Sequence, residues 1–263
     1  ILMCFVCGLV YAHDGLNFRN LDVKSGISDN YVRSVLRDQY GFMWFATLNG
    51  LNRYDGYQFK KYTTTQLGAY NNDIESIAED AAGNIWIKGP VSYYIYDREQ
   101  DKLENKIQPV LNKYGITGEV SYLTVDKDYN LWCTVMDTLF HYDFAKSKLH
   151  TFQLPGKEKM QQVVCRRSCA YQLFSNGEIA RIDSNFQHIR PETRRTISSG
   201  LQYNLYIDTV DRLWFYASHA SGLQCYDTNQ KQWIDYVGRQ EVTDALITAV
   251  MDDGDGNLWI GTD

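Results

Sequence analysis

The chain has 263 residues, 44% hydrophobic and 14% aromatic, with 20 Tyr and 6 Trp against 4 Pro. That composition excludes a disordered polymer and describes a strand-rich globular one. A formal charge of −6 excludes a surface that tracks nucleic-acid phosphates, which needs clustered Lys and Arg; the pair Arg194-Arg195 is too small to supply it.

In chain order, residues 1–12 come first: an apolar run from Ile1 to Val10, then Ala12, followed by polar His13 and Asp14 as at a secretory cleavage site. The run is about half the ~20 residues a bilayer crossing requires. It reads as the remnant of a signal peptide, which places residues 13–263 in an exported, oxidising compartment. With the leader removed, Cys133, Cys165, Cys169 and Cys225 remain. They form no C-x-x-C pair and have no nearby His set, so buried apolar thiols are expected in place of a zinc site. Read on one extended strand, Cys165 and Cys169 would lie roughly 13 Å apart, too far to bridge. A Cys133–Cys165 bridge between neighbouring repeats stays open.

The rest of the chain repeats. Asp38 precedes Trp44, Asp80 precedes Trp86, Asp126 precedes Trp132, Asp208 precedes Trp214 and Asp253 precedes Trp259, each by six residues, with the tryptophans at intervals of 42, 46, 82 and 45. The long interval is two steps around a degenerate copy, Val163 to Arg190, in which Tyr171 or a neighbour stands for the tryptophan. A second landmark follows in register: Tyr54-Asp55, Tyr96-Asp97, Tyr142-Asp143 and Tyr226-Asp227, with Ile182-Asp183 in the weak copy.

Within the first unit, Val32 to Arg37, Phe42 to Thr47, Leu51 to Tyr54 and Tyr57 to Tyr62 are short strand-like runs bounded by Gly, Asn and Asp. The Asp-x-x-Gly segment turns the first hairpin, Asn49-Gly50 the second and Asp55-Gly56 the third. Four strands every 40 to 46 residues define an all-β β-propeller of four-stranded blades. Blades are expected at 30–65, 70–108, 118–155, 160–192, 200–238 and, in part, 245–263, about five and a half in an incomplete ring whose parent has six to eight. The tryptophans are expected to pack between adjacent blades, and the segment from Leu16 to Val23 to act as an extra strand that clasps the last blade.

No phosphate loop, metalloprotease helix, nucleophile elbow or dinucleotide fingerprint occurs. Asp253, Asp255 and Asn257 begin like a calcium loop, but the sixth position is Leu258 and not Gly. A catalytic acid should be singular, whereas Asp38, Asp80, Asp126 and Asp253 recur with the blade and read as turn residues. Neither a catalytic residue, a cofactor nor a metal is therefore expected. Binding is expected on loops at the channel mouth: Asn30, Tyr31, Tyr70, Asn71 and Asn72 before first strands, and Asn49, Asp137 and His219 after second strands. Their Asn, Tyr and His side chains suit sugar hydroxyls and ring faces, although ordinary turn chemistry accounts for any one of them.

Gly26 to Val32, Asp38 to Thr47 and Asn49 to Gly56 resemble the two-component regulator propeller repeat. The resemblance is strongest in the first unit and at Asp253 to Thr262, weaker in the third unit, and poor in the fourth; Tyr129 and Asp211 depart from it by replacing the turn glycine. It implies the periplasmic sensor region of a hybrid two-component system, anchored in the inner membrane through parts beyond these residues. It further implies an oligosaccharide ligand, homodimerisation of the parent, a histidine kinase further along the chain, and no enzymatic activity in this region. A secreted propeller lyase or glycosidase, and a propeller serving protein association, are the alternatives.

Overall fold

The computed structural model describes residues 20–154, 160–166, 169–182, 189–195, 197–198, 201–218, 220–234, 246–253 and 257–262. Its strands form successive antiparallel sheets. The first holds β1 (Val32–Arg37), β2 (Met43–Thr47), β3 (Gly50–Tyr54) and β4 (Phe59–Tyr62); the second β5 (Ser76–Glu79), β6 (Ile85–Lys88), β7 (Tyr93–Asp97) and β8 (Lys102–Glu104). The third holds β9 (Val120–Val125), β10 (Leu131–Val135), β11 (Thr138–Asp143) and β12 (Lys148–Gln153), and the fourth β13 (Met160–Arg166), β14 (Cys169–Phe174), β15 (Glu178–Ile182) and β16 (Ile189–Arg194). In the fifth, β17 (Tyr203–Ile207) and β18 (Arg212–Ala217) come first. A short β19 (Ala220–Ser221) then departs to pair with the next sheet, and β20 (Leu223–Asp227) and β21 (Gln232–Ile234) complete the blade. The sixth is β19, β22 (Leu246–Asp252) and β23 (Leu258–Thr262). The propeller of four-stranded blades is thus the observed architecture.

Every blade but the degenerate fourth is built around an aspartate. In the first, Asp38 Oδ1 accepts the amides of Tyr40 and Phe42 at 3.0 and 2.9 Å, while Oδ2 accepts the Trp44 indole N–H at 2.9 Å. Asp80, Asp126 and Asp208 repeat this, with indole bonds of 2.8 Å from Trp86, Trp132 and Trp214. Asp253 bonds the Asn257 amide at 3.1 Å and the Trp259 indole at 3.2 Å. One carboxylate therefore satisfies the turn's amides and the one polar atom of a ring that must be buried. The turn's fourth residue is left-handed: Gly41 and Gly83 supply this freely, but Tyr129 (φ 62°) and Asp211 (φ 64°) adopt it against Cβ sterics.

The indoles enter the neighbouring blade. Trp44, with no exposed surface, packs with Ile77, Ile87 and Tyr94 of the second blade; Trp86 packs with Leu123 and Leu131 of the third, and Trp132 with Ala170 and Ile182 of the fourth. In the degenerate fourth blade Tyr171 takes the slot and packs with Leu205 and Phe215, while Trp214 reaches Ile247 and Val250. Each such burial contributes on the order of 3 kcal/mol. Trp259 departs from the expectation: it is 62% exposed, because no described blade stands against it.

Successive blades also meet along their first strands. As sheet edges these strands carry unpaired amides, and at each junction a side chain from the preceding blade takes one. Ser34 accepts from Ile77 at 3.4 Å, Tyr93 from Leu123 at 2.9 Å, Tyr122 from Val163 at 3.0 Å, Gln162 from Leu205 at 2.6 Å and Tyr206 from Asp252 at 3.0 Å.

Several local expectations change. The second hairpin turns on Leu48 and Asn49, with Gly50 opening β3 opposite Thr47; a Cβ at Gly50 would meet the Tyr62 carbonyl at 2.6 Å. Cys165 and Cys169 lie on opposite strands of one hairpin, β13 and β14, and not on one strand. Cys133 and Cys165 are free thiols, so they are not bridged; they belong to the cores of different blade junctions. An unforeseen helix α1 (Gln108–Lys113) fills the link between the second and third blades, where the tryptophan interval stretches. Of the expected clasp only 20–23 is described: Asp22 is extended but caps a 3-10 turn, Val23–Ser25, and no strand is formed there. The expected leader, 1–12, lies outside the described residues.

Two stability outcomes are expected from urea denaturation. Asp38→Ala strands an indole and two turn amides and should lose about 3 kcal/mol. Tyr129→Gly relieves a left-handed tyrosine and should gain about 1 kcal/mol; no gain would mean the ring contributes more packing than its exposure indicates.

Candidate functional site

In an antiparallel four-stranded blade the link into the first strand and the turn after the second strand leave at the same end, and the first-to-second turn leaves at the other. The residues nominated from sequence therefore share one mouth. Asn49 receives a 3.3 Å bond from the Asn72 amide, joining the first blade to the link into the second. Tyr31, exposed, has the Arg33 guanidinium 5.9 Å from its ring centre, and its carbonyl accepts from Leu48 at 3.4 Å. Tyr70 is fully exposed. The others do turn work: Asn30 accepts the Val23 amide at 2.9 Å, Asn71 the Asp73 amide at 3.2 Å, and Asn72 the Thr65 amide at 3.0 Å. Asp137 stands two blades away, where its carbonyl accepts from Leu154 at 2.8 Å. His219 lies outside the described residues.

On this same mouth a cleft of about 400 Å³ opens between the second and third blades, lined among others by Val91, Ser92, Tyr93, Lys106, Gln108 and Glu119. Sequence reading passed over these residues. The available signal was the 46-residue interval from Trp86 to Trp132, which marks inserted chain between blades.

The opposite mouth holds a second cleft, of about 660 Å³, walled by the β1–β2, β5–β6 and β9–β10 turns: Arg37, Gln39, Tyr40, Glu79, Asp80 and Tyr129 line it. Beneath it Arg98 bolts two blades together, with bonds of 3.1 Å to Asp38, 3.0 Å to Glu79 and 3.0 Å to the Gly83 carbonyl, and its guanidinium lies 4.4 Å from the Tyr40 ring centre. Burial raises Glu79 above its ordinary value although the Gln39 amide and Arg98 hold it from both sides. Farther out, Asp101 accepts from Arg53, Lys60, Tyr62 and Tyr96. Burial opposes its ionisation, but the bonds from Lys60, Tyr62 and Tyr96 outweigh that and hold it well below its ordinary value. These carboxylates are engaged in holding blades together.

Buried titratable groups belong to the core. Burial pushes the Cys133 thiol up to about 12 and that of Cys165 well above its usual value, so both stay protonated. His141, opposite Trp132 in the β10–β11 register and stacked 4.0 Å from it, is pushed down to about 3 by burial and then by His150. Among the described residues no three His, Cys, Asp or Glu side chains converge as a metal-binding group, and no helix is long and apolar enough to cross a membrane.

The fold and its repeated turn define a class, the β-propeller assembled from aspartate-clamped blades. Comparison with known proteins narrows it: the two component regulator propeller model matches residues 26–49 and 242–263, so repeats of that kind form parts of the first blade and the last. Among solved structures, the extracellular domain assigned to the hybrid two component system BT3049 of B. thetaiotaomicron is similar at 22% identity and a TM-score of 0.62, over 93% of this chain and 34% of that one. The corresponding domain of BT4673 from the same organism gives 21% identity and 0.61, over 89% of this chain and 30% of its own. Virginiamycin B lyase from Staphylococcus aureus gives 13% and 0.58, over 88% and 78%. At these identities the likeness is one of fold. This chain spans about a third of the length of the two extracellular domains. No curated protein matches.

His141 carries a pH signature. Its native value, about 3, lies below the unfolded value of about 6.5, so between these the unfolded chain binds a proton that the native one excludes. Stability should be unaffected by this group above pH 6.5 and fall as pH drops toward 3. His141→Phe, which keeps the stack on Trp132, should remove about 2 kcal/mol of the loss between pH 7 and pH 5, measured by urea midpoints; an unchanged slope would show His141 charged in the native state.

Proposed function

We propose that this propeller is the periplasmic ligand-sensing region of a hybrid two-component regulator, that it detects oligosaccharides, and that it signals to a histidine kinase further along the parent chain. The observation that carries the reading is the presence of two-component regulator propeller repeats at 26–49 and 242–263 of a chain whose blades form one kind of propeller throughout. Support for saccharide as ligand comes from the chemistry of the mouths, where Asn and Tyr side chains stand on rigid turns. An exported location agrees with the extracellular domains that share the fold. The parent is proposed to act as a homodimer.

An enzymatic reading gains nothing from the repeated carboxylates. Asp38, Asp80, Asp126 and Asp208 each hold an indole and a turn. This region is therefore proposed to bind and not to turn over its ligand.

Titration calorimetry of the protein against a panel of neutral and acidic oligosaccharides should give at least one saturable isotherm with the saccharide recovered uncleaved. Silence across the panel would sink the saccharide reading, and cleaved product would sink the non-enzymatic one.

A further inference from the structure

The cleft on the mouth formed by the first-to-second turns has features that the blade scaffold does not call for. Tyr129 occupies the left-handed turn position where the two preceding blades have Gly41 and Gly83. A bulky residue there is disfavoured, and retained strain of this kind clusters at binding sites. The residue lines the cleft and is 55% exposed, so core packing does not account for it. Tyr40, from the first blade's turn, lines the same cleft at 65% exposure, with Arg98 against its ring. The Ala81 amide donates to the Tyr129 carbonyl at 3.0 Å, which ties the second and third turns together along the cleft wall. Arg37 lines the cleft and is exposed. A volume of about 660 Å³ falls in the range of small-molecule sites.

Charge selects the ligand. Asp38, Glu79 and Asp80 border the cleft, and all three are buried and already hydrogen-bonded within the protein. They outnumber the guanidinium groups of Arg37 and Arg98, so a uronate or sulfated sugar meets net repulsion. An ammonium ligand would have to lie beside Arg37. What remains is an uncharged ring with an apolar face for tyrosine and hydroxyls for the donors of Arg37.

We propose that this cleft, and not the mouth bearing Asn49 and Tyr70, is the saccharide site, and that it takes a neutral hexopyranose oligosaccharide between Tyr40 and Tyr129 with Arg37 bonding its hydroxyls. The inference rests on the saccharide reading above and adds the place and the charge class. Of the two binding tyrosines Tyr129 is the strained one, so affinity and stability are set against each other there.

The test is calorimetry of the protein and its Arg37→Ala, Tyr40→Ala and Tyr129→Gly variants with maltotriose, cellotriose, mannotriose and galactotriose, and with trigalacturonate as the charged probe. At least one neutral trisaccharide should bind. Each variant should weaken it by about tenfold or more, while Tyr129→Gly raises the melting temperature by about 2 to 4 °C. Weaker binding together with a higher melting temperature excludes simple misfolding as the cause. If affinity survives all three variants but falls in Tyr70→Ala or Asn49→Ala, the site is at the other mouth; the saccharide reading then stands and this inference fails. Trigalacturonate binding tighter than every neutral sugar overturns the charge class. Silence from all five probes removes both.

Discussion

A buried carboxylate with an indole on one oxygen and two turn amides on the other is the interaction from which this molecule is assembled. Trp44 has no exposed surface, so its N–H must find a partner within the fold, and the only acceptor its register guarantees is the aspartate that closes the hairpin below it. Hairpin formation and the wedge between blades become one event. The Asp38 carboxylate, itself fully buried, is balanced by Arg98 from the next blade, and this draws the neighbouring sheet in as the turn closes.

Other parts of the blade vary around an aromatic wedge that is kept throughout the first five blades. Across the second hairpin, the residue facing the aromatic wedge is Arg53, Ile95, His141, Arg181 or Cys225 in successive blades. A cation over a ring, an aliphatic contact and a stacked imidazole all fill that position. The fourth blade replaces the indole by Tyr171 and keeps the wedge, since Tyr171 still packs with Leu205, Ile207 and Phe215 of the fifth. The outer hairpins show the same economy: Asp55, Asp97 and Asp227 each accept two amides from the following turn, and Asp143 accepts one.

A scaffold bolted at each junction by first-strand amides, a wedge and, between the first two blades, Arg98 and Asp101 leaves the loops to carry recognition. The two mouths differ in how far their side chains are occupied. On one, Asn30, Asn71 and Asn72 are used by backbone amides and only part of the surface is open to a ligand. On the other, Tyr40 and Tyr129 stand open beside Arg37.

The six-residue interval from aspartate to tryptophan, repeated with the tyrosine-aspartate landmark, was sufficient to give the blades, their strands and the role of the aspartates as turn residues, because these are local consequences of side chain and spacing. The indole bond itself was not legible, although its spacing was, since nothing in a linear pattern says that a ring folds back onto its own turn. Which loop side chains stand free was not legible for a related reason: Asn and Tyr in loops carry the same letters whether they cap an amide, as Asn30 does, or face solvent, as Tyr70 does. Tyr129 was visible only as a missing glycine. Its position beside Tyr40 and Arg37 depends on three turns that are about forty residues apart in sequence and adjacent around the ring, and only packing of blade on blade brings them together.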